Sequence, residues 1–128
     1  MRRVIVIVVL FATLLALSVC VSAEAQQQET NTGTRVTTMS FGSGGGHADR
    51  RLCNNHSWDV EMRVTVLEAN RSLFNLKVKV RGSGGYYLVG YLHRSGDTVR
   101  LGVFEPTACI VLRFTTKAPG YYQVHLVA

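Results

Sequence analysis

"WDVEMRVTVLE" (residues 58–68) and "LFNLKVKVR" (residues 73–81) decide the fold class. In the first, Val60, Met62, Val64 and Val66 alternate with Asp59, Glu61, Arg63 and Thr65. In the second, Phe74, Leu76, Val78 and Val80 alternate with Asn75, Lys77 and Lys79. An apolar residue at every second position puts one face of an extended strand in a core and the other in water. Paired as a hairpin, the two runs match their apolar faces only with Val66 opposite Phe74, Val64 opposite Leu76 and Met62 opposite Val78. A slip of one residue would set lysines against the apolar row. The same register places Glu61 across from Lys79 and leaves a turn at residues 69–71, with Asn70 at its tip.

Working outward, four more runs favour strands: "YYLVGYLHR" (86–94), "TVRLGVF" (98–104), "CIVLRFTT" (109–116) and "YYQVHLV" (121–127). "RGSGG", "SGD", "EPTA" and "KAPG" separate them, and each carries turn chemistry. No amphipathic helix is legible downstream of the N-terminal apolar run. The expectation is an all-β fold: an antiparallel β-sandwich or barrel of six to seven short strands, with its core in residues 58–128. Upstream, "RVTTMSF" (35–41) reads as a short strand within a flexible, glycine-rich lead-in covering residues 26–57.

The N-terminus carries Arg2 and Arg3, an uncharged apolar run (residues 4–21) and the small-residue pattern "AEA" (23–25). That order is a signal peptide of residues 1–25, implying a secreted or extracellular protein, or one of the secretory-pathway lumen. Cleavage after Ala25 leaves 103 residues with twelve Lys/Arg and seven Asp/Glu, net +5, and only Cys53 and Cys109 of the three cysteines. In an oxidising compartment these two form one disulfide. Secretion also gives meaning to the sequons "NHS" at Asn55 and "NRS" at Asn70 as glycosylation candidates in a glycoprotein. An immunoglobulin domain fits the cysteine spacing, but Trp58 follows Cys53 by only five residues, and Thr107 stands where a tyrosine corner needs tyrosine.

The segment "LGVFEPTACIVLRFTTKAPGYYQVHL" (residues 101–126) resembles the end of a GOLD domain, the luminal β-sandwich of the p24 family of secretory-pathway cargo proteins. The likeness lies in "VFEP" at Val103–Pro106 and "FTTKAPGYYQV" at Phe114–Val124, with His125 where the family carries a cysteine. It implies a β-sandwich module and, as one alternative, a GOLD-like secretory-pathway factor.

Chemistry is most crowded in "FGSGGGHADRRLCNNHSW" (residues 41–58). It lacks the lysine and following helix of a phosphate loop, and no G-x-S-x-G elbow occurs in the chain. No cofactor motif is present, and a non-enzymatic protein is expected. The alternative is a small secreted enzyme or metal-binding protein using His47, Asp49 and His56, with Cys53 withdrawn into the disulfide. The leading expectation is a binding module for a protein or an acidic glycan, with neither nucleic acid as partner nor stable membrane insertion after signal cleavage. Its surface would be an aromatic patch of Tyr87, Tyr91, His93, Tyr121 and His125 edged by Arg113, because tyrosine and arginine suit interfaces and polyanions alike. On the strand at 86–94, Leu88 and Leu92 are expected on the core side. The basic residues Lys77, Lys79, Arg81, Arg94, Arg100 and Arg113 form no block in the sequence.

Overall fold

A computed structural model describes residues 31–128, which form one compact unit, Asn31–Ala128. The signal peptide expected at residues 1–25 lies outside the described residues. Eight strands follow in order: β1 (Arg35–Phe41), β2 (Gly46–Cys53), β3 (Val60–Ala69), β4 (Leu76–Gly82), β5 (Gly85–Leu92), β6 (Thr98–Phe104), β7 (Cys109–Thr116) and β8 (Gly120–Val127). They build two four-stranded antiparallel sheets, β1-β8-β3-β6 and β2-β7-β4-β5. Among the described residues no helix is long and apolar enough to cross a membrane.

The pairings have a simple origin. β1 with β8, β2 with β7, β3 with β6 and β4 with β5 are the rungs of one long ribbon turned back at the β4–β5 hairpin. Rolling that ribbon brings β8 beside β3 and β7 beside β4. The result is an eight-stranded jelly roll, in which every connection except β4–β5 passes from one sheet to the other.

Alternation along each strand feeds a single core. Met39, Phe41, Met62, Val64, Val66, Tyr122, Val124 and Leu126 of the first sheet meet Leu52, Leu76, Val78, Val80, Leu92, Leu112 and Phe114 of the second. Tyr122 is its largest buried side chain and takes the rings of Phe41 and Phe74 edge-on, at 5.9 and 5.0 Å between centroids.

The antiparallel all-β fold and the Cys53–Cys109 bond are as the sequence predicts; of the two expected forms the sandwich is the one observed, with eight strands rather than six to seven because residues 46–53 add one. Three expectations are corrected. First, residues 58–68 and 73–81 are not a hairpin: β3 pairs with β6 and β8, and β4 with β5 and β7. Apolar alternation fixes which side of a strand faces the core. Strands facing each other across the core satisfy that match as well as neighbours within a sheet do. Glu61 accordingly lies 3.7 Å from Arg100 of β6 rather than across from Lys79.

Second, the glycine-rich stretch is not a flexible lead-in, because residues 46–53 form β2. Its glycines make the tight β1–β2 crossover, closed by the Gly45 amide donating to the Gly42 carbonyl at 2.9 Å. Gly45 has φ 71°, and a Cβ there would overlap the Thr116 carbonyl and the Lys117 backbone. β2 reads poorly as a strand because Arg50 holds a core-side position. At this sheet edge its guanidinium donates to the Thr37 hydroxyl and the Thr38 carbonyl of β1, at 2.9 and 2.8 Å, and closes the sandwich seam.

Third, β5 changes face midway. The ladder shifts between Val78 and Lys79, so Val78 pairs with Gly90 and Lys79 with Leu88. The extra residue, Val89, is a bulge, and bulges reverse side-chain alternation. Leu88 therefore faces outward and is exposed, while Gly90 lies against Val99 of β6, where a Cβ would crowd the valine methyls.

Candidate functional site

Every second residue of the second sheet points away from the core, and register turns these residues into rows. His47 of β2, Thr115 of β7, Lys77 of β4 and Tyr91 of β5 share one row. Asp49, Arg113, Lys79 and Leu88 form the next. Arg51 lies beside Val111, and Arg81 beside Tyr86. Cations that no sequence block announces are thus gathered by the sheet: Arg51, Lys77, Lys79, Arg81 and Arg113 occupy one face, with Asp49 as its carboxylate.

That carboxylate is already engaged. Arg113 donates from Nε to Oδ1 at 2.8 Å and from Nη2 to Oδ2 at 2.9 Å. The paired hydrogen bonds hold the Asp49 carboxyl below its usual range against the opposing effect of partial burial, and Asp49 in turn raises the Arg113 pKa. The guanidinium also stacks over the Tyr86 ring, 3.9 Å from its centroid. Arg113 is therefore clamped between a carboxylate and an aromatic ring. Lys77, Lys79, Arg81 and Arg51 remain as cations of the face.

The structure divides the aromatic patch expected from sequence. Tyr91 is on the second sheet, its ring parallel to that of His93 at 5.8 Å. His93 follows β5, and its Nδ1 lies 3.2 Å from the Phe74 carbonyl. Tyr87 sits at the sheet edge opposite Val80 and is exposed. Tyr121 and His125 belong to β8, on the outer face of the first sheet, so they do not join Tyr91, His93 and Arg113. β5 and β8 read alike in sequence, but rolling the ribbon sends them to opposite layers. On its own face, His125 lies with Arg63, Thr65, Thr98 and Arg100 around a shallow depression.

The metal alternative is not assembled. His47 and Asp49 are neighbours on β2, but Asp49 is bound by Arg113. His56 stacks on Trp58 at 4.6 Å, with Nε2 3.2 Å from the Ala128 carbonyl. Among the described residues no three of His, Cys, Asp and Glu come together as a metal site.

One residue that sequence reasoning missed organises this end of the sandwich. Asn54, 1% exposed, donates from Nδ2 to the carbonyls of Trp58 and Phe104 and accepts the His56 amide. It directly follows the disulfide, in which Cys53 and Cys109 are partners in the β2–β7 ladder. Its neighbour Asn55 is exposed. Asn70, also exposed, lies in the β3–β4 connection, where its Oδ1 accepts the Tyr121 amide. Residues 101–126 run from β6 through β7 into β8.

No protein-family model matches the chain, and no curated protein matches it. Among solved structures, it is similar to a protein from Sulfurospirillum deleyianum at 6% identity, over 72% of this chain and 97% of that one, with a TM-score of 0.33.

Proposed function

We propose that the protein is a secreted binding module that holds an acidic glycan against the outer face of β2-β7-β4-β5. The observation that carries this reading is the row Lys77, Lys79 and Arg81 on β4. Three successive outward positions of one strand are all cationic, flanked by Arg51 and Arg113 and by the rings of Tyr86 and Tyr91. Alternate residues on a strand lie roughly 6.6 Å apart, so the row sets a charge at regular intervals along about 13 Å. A chain with regularly spaced anionic groups is complementary to such a row, and the tyrosine rings offer flat surfaces to its sugars. An acidic peptide fits less well. This is a sheet face and not an edge, so a peptide cannot add to it as a strand. The disulfide fits an oxidising, extracellular or lumenal compartment.

The test is titration of the disulfide-bonded protein with heparin, with hyaluronate and with poly-glutamate. A charge pair at 4 Å in water is worth about 1 kcal/mol, so Arg51→Ser with Arg81→Ser is expected to weaken glycan binding roughly 30-fold. Arg63→Ser with Arg100→Ser, on the opposite sheet, is the control and is expected to change it less than about 3-fold. Equal losses in the two variants, or poly-glutamate bound more tightly than both glycans, would overturn the assignment.

A further inference from the structure

Resting on that reading, we infer that one end of the basic face is a subsite for a tetrahedral oxyanion, so that the glycan recognised carries sulfate esters and not carboxylates alone. Where β4 pairs with β7 and the chain turns toward β8, a groove of about 360 Å³ is lined by Lys77, Lys79, Lys117, Thr115 and Asn75 among others, with no carboxylate in its wall. Three ammonium groups on one groove form a dense positive site. The Thr115 hydroxyl lies in the same wall, is shielded from solvent and has no hydrogen-bond partner. A buried hydroxyl without a partner is costly, and an oxyanion seated among the lysines would supply its acceptor. The neighbouring Thr116 hydroxyl, by contrast, is used within the turn, accepting the Ala118 amide at 3.3 Å.

The kind of cation points to the kind of anion. On this face the planar fork of Arg113 already holds a carboxylate in two parallel hydrogen bonds. The groove holds only lysines as its cations. An ammonium is a compact point charge with three rotatable donors, without the planar match to a carboxylate. Two of them from β4 and one from the β7–β8 turn line the same groove and can approach different oxygens of a tetrahedral group. Sulfate and phosphate esters share that chemistry, and free sulfate or phosphate shares it with them.

Isothermal titration separates these sources. The wild-type, disulfide-bonded protein is titrated with heparin, with hyaluronate (carboxylates only) and with inorganic sulfate and phosphate at matched ionic strength. The lysines are replaced together as Lys77→Met, Lys79→Met and Lys117→Met, which keeps the apolar stems. Thr115→Val is made separately. Circular dichroism and the thermal midpoint confirm that each variant is folded. At about 1 kcal/mol per charge, the triple variant is expected to lose roughly 150-fold in affinity for heparin, which meets all three lysines, and roughly 30-fold for hyaluronate, which meets only the two of the row. Thr115→Val is expected to lose roughly 5-fold for heparin and nothing for hyaluronate. Inorganic sulfate should displace heparin more effectively than chloride does. The oxyanion subsite is overturned, with the glycan reading intact, if the triple variant weakens both glycans equally or leaves heparin binding unchanged. If inorganic phosphate or sulfate binds tightly while heparin does not, the assignment of the site to the sulfate esters of a glycan is overturned. If the wild type binds neither glycan, the reading it rests on fails as well.

Discussion

Replacing both disulfide cysteines, Cys53→Ala with Cys109→Ala, gives a perturbation whose size follows from the structure. The two residues are partners on adjacent strands, 56 positions apart in sequence. The loop they close contains β3, β4, β5 and β6, half of the jelly roll. In the chain-entropy model, releasing a loop of that length costs about 4 kcal/mol by enlarging the unfolded ensemble. Lost packing adds to this only at Cys53, whose buried sulfur is removed, because Cys109 is exposed and alanine retains the Cβ of each residue. A domain of this size has a stability of roughly 5–15 kcal/mol, so the variant should remain folded with a thermal midpoint lowered by roughly 16–32 °C. The assay is urea unfolding followed by far-ultraviolet circular dichroism, with and without the substitutions. The slope of stability against urea should also rise, since the untethered chain exposes more surface. A loss below about 1 kcal/mol would refute the reasoning, because the bond would then not be restraining the unfolded state.

Three further outcomes are expected. Tyr122→Phe should raise stability by about 1 kcal/mol, because the Tyr122 hydroxyl is buried without a partner in the core; a decrease on chemical unfolding would contradict this. Gly45→Ala should cost more than about 2 kcal/mol, because it combines a left-handed φ with overlap on the Thr116 carbonyl, whereas Gly84→Ala, in open space, should cost little on the same measurement. Acid should destabilise the fold through Asp49, lowered chiefly by its hydrogen bond from Arg113, and Asp97, lowered chiefly by the His93 amide. Both folded pKa values are depressed, so this stability is complete above the unfolded value of about 3.9 and is lost as pH falls through the folded values. Asp49→Asn and Asp97→Asn should each flatten the stability profile below about pH 4, read from thermal midpoints across pH.

The strands that alternate cleanly, β3, β4, β7 and β8, were legible because their inward residues are nearly all apolar. β2 was not, because Arg50 takes an inward position that only a sheet edge can tolerate, and tertiary hydrogen bonds to β1 create that tolerance. The bulge at Val89 was equally hidden: "YYLVGYL" offers apolar residues to both faces, so period two cannot tell which residue is extra. Pairing failed for a more general reason. A hydrophobic pattern specifies inside and outside, and a sandwich has two insides that face each other. For the same reason Tyr91 and His93, on and just after β5, and Tyr121 and His125 of β8 looked like one patch and are two, while Arg51, Lys77, Lys79, Arg81 and Arg113, scattered in sequence, became neighbours. The disulfide was legible because two cysteines in an oxidised chain have one pairing.

The most direct measurement is amide chemical-shift mapping of the isotopically labelled, disulfide-bonded protein during titration with a sulfated oligosaccharide. The account predicts shifts concentrated at Lys77, Lys79, Arg81, Thr115, Arg113, Tyr86 and Tyr91, with Arg63, Thr65, Arg100 and His125 unmoved. Shifts gathered on β1-β8-β3-β6 instead, or none on either face at saturating oligosaccharide, would contradict it.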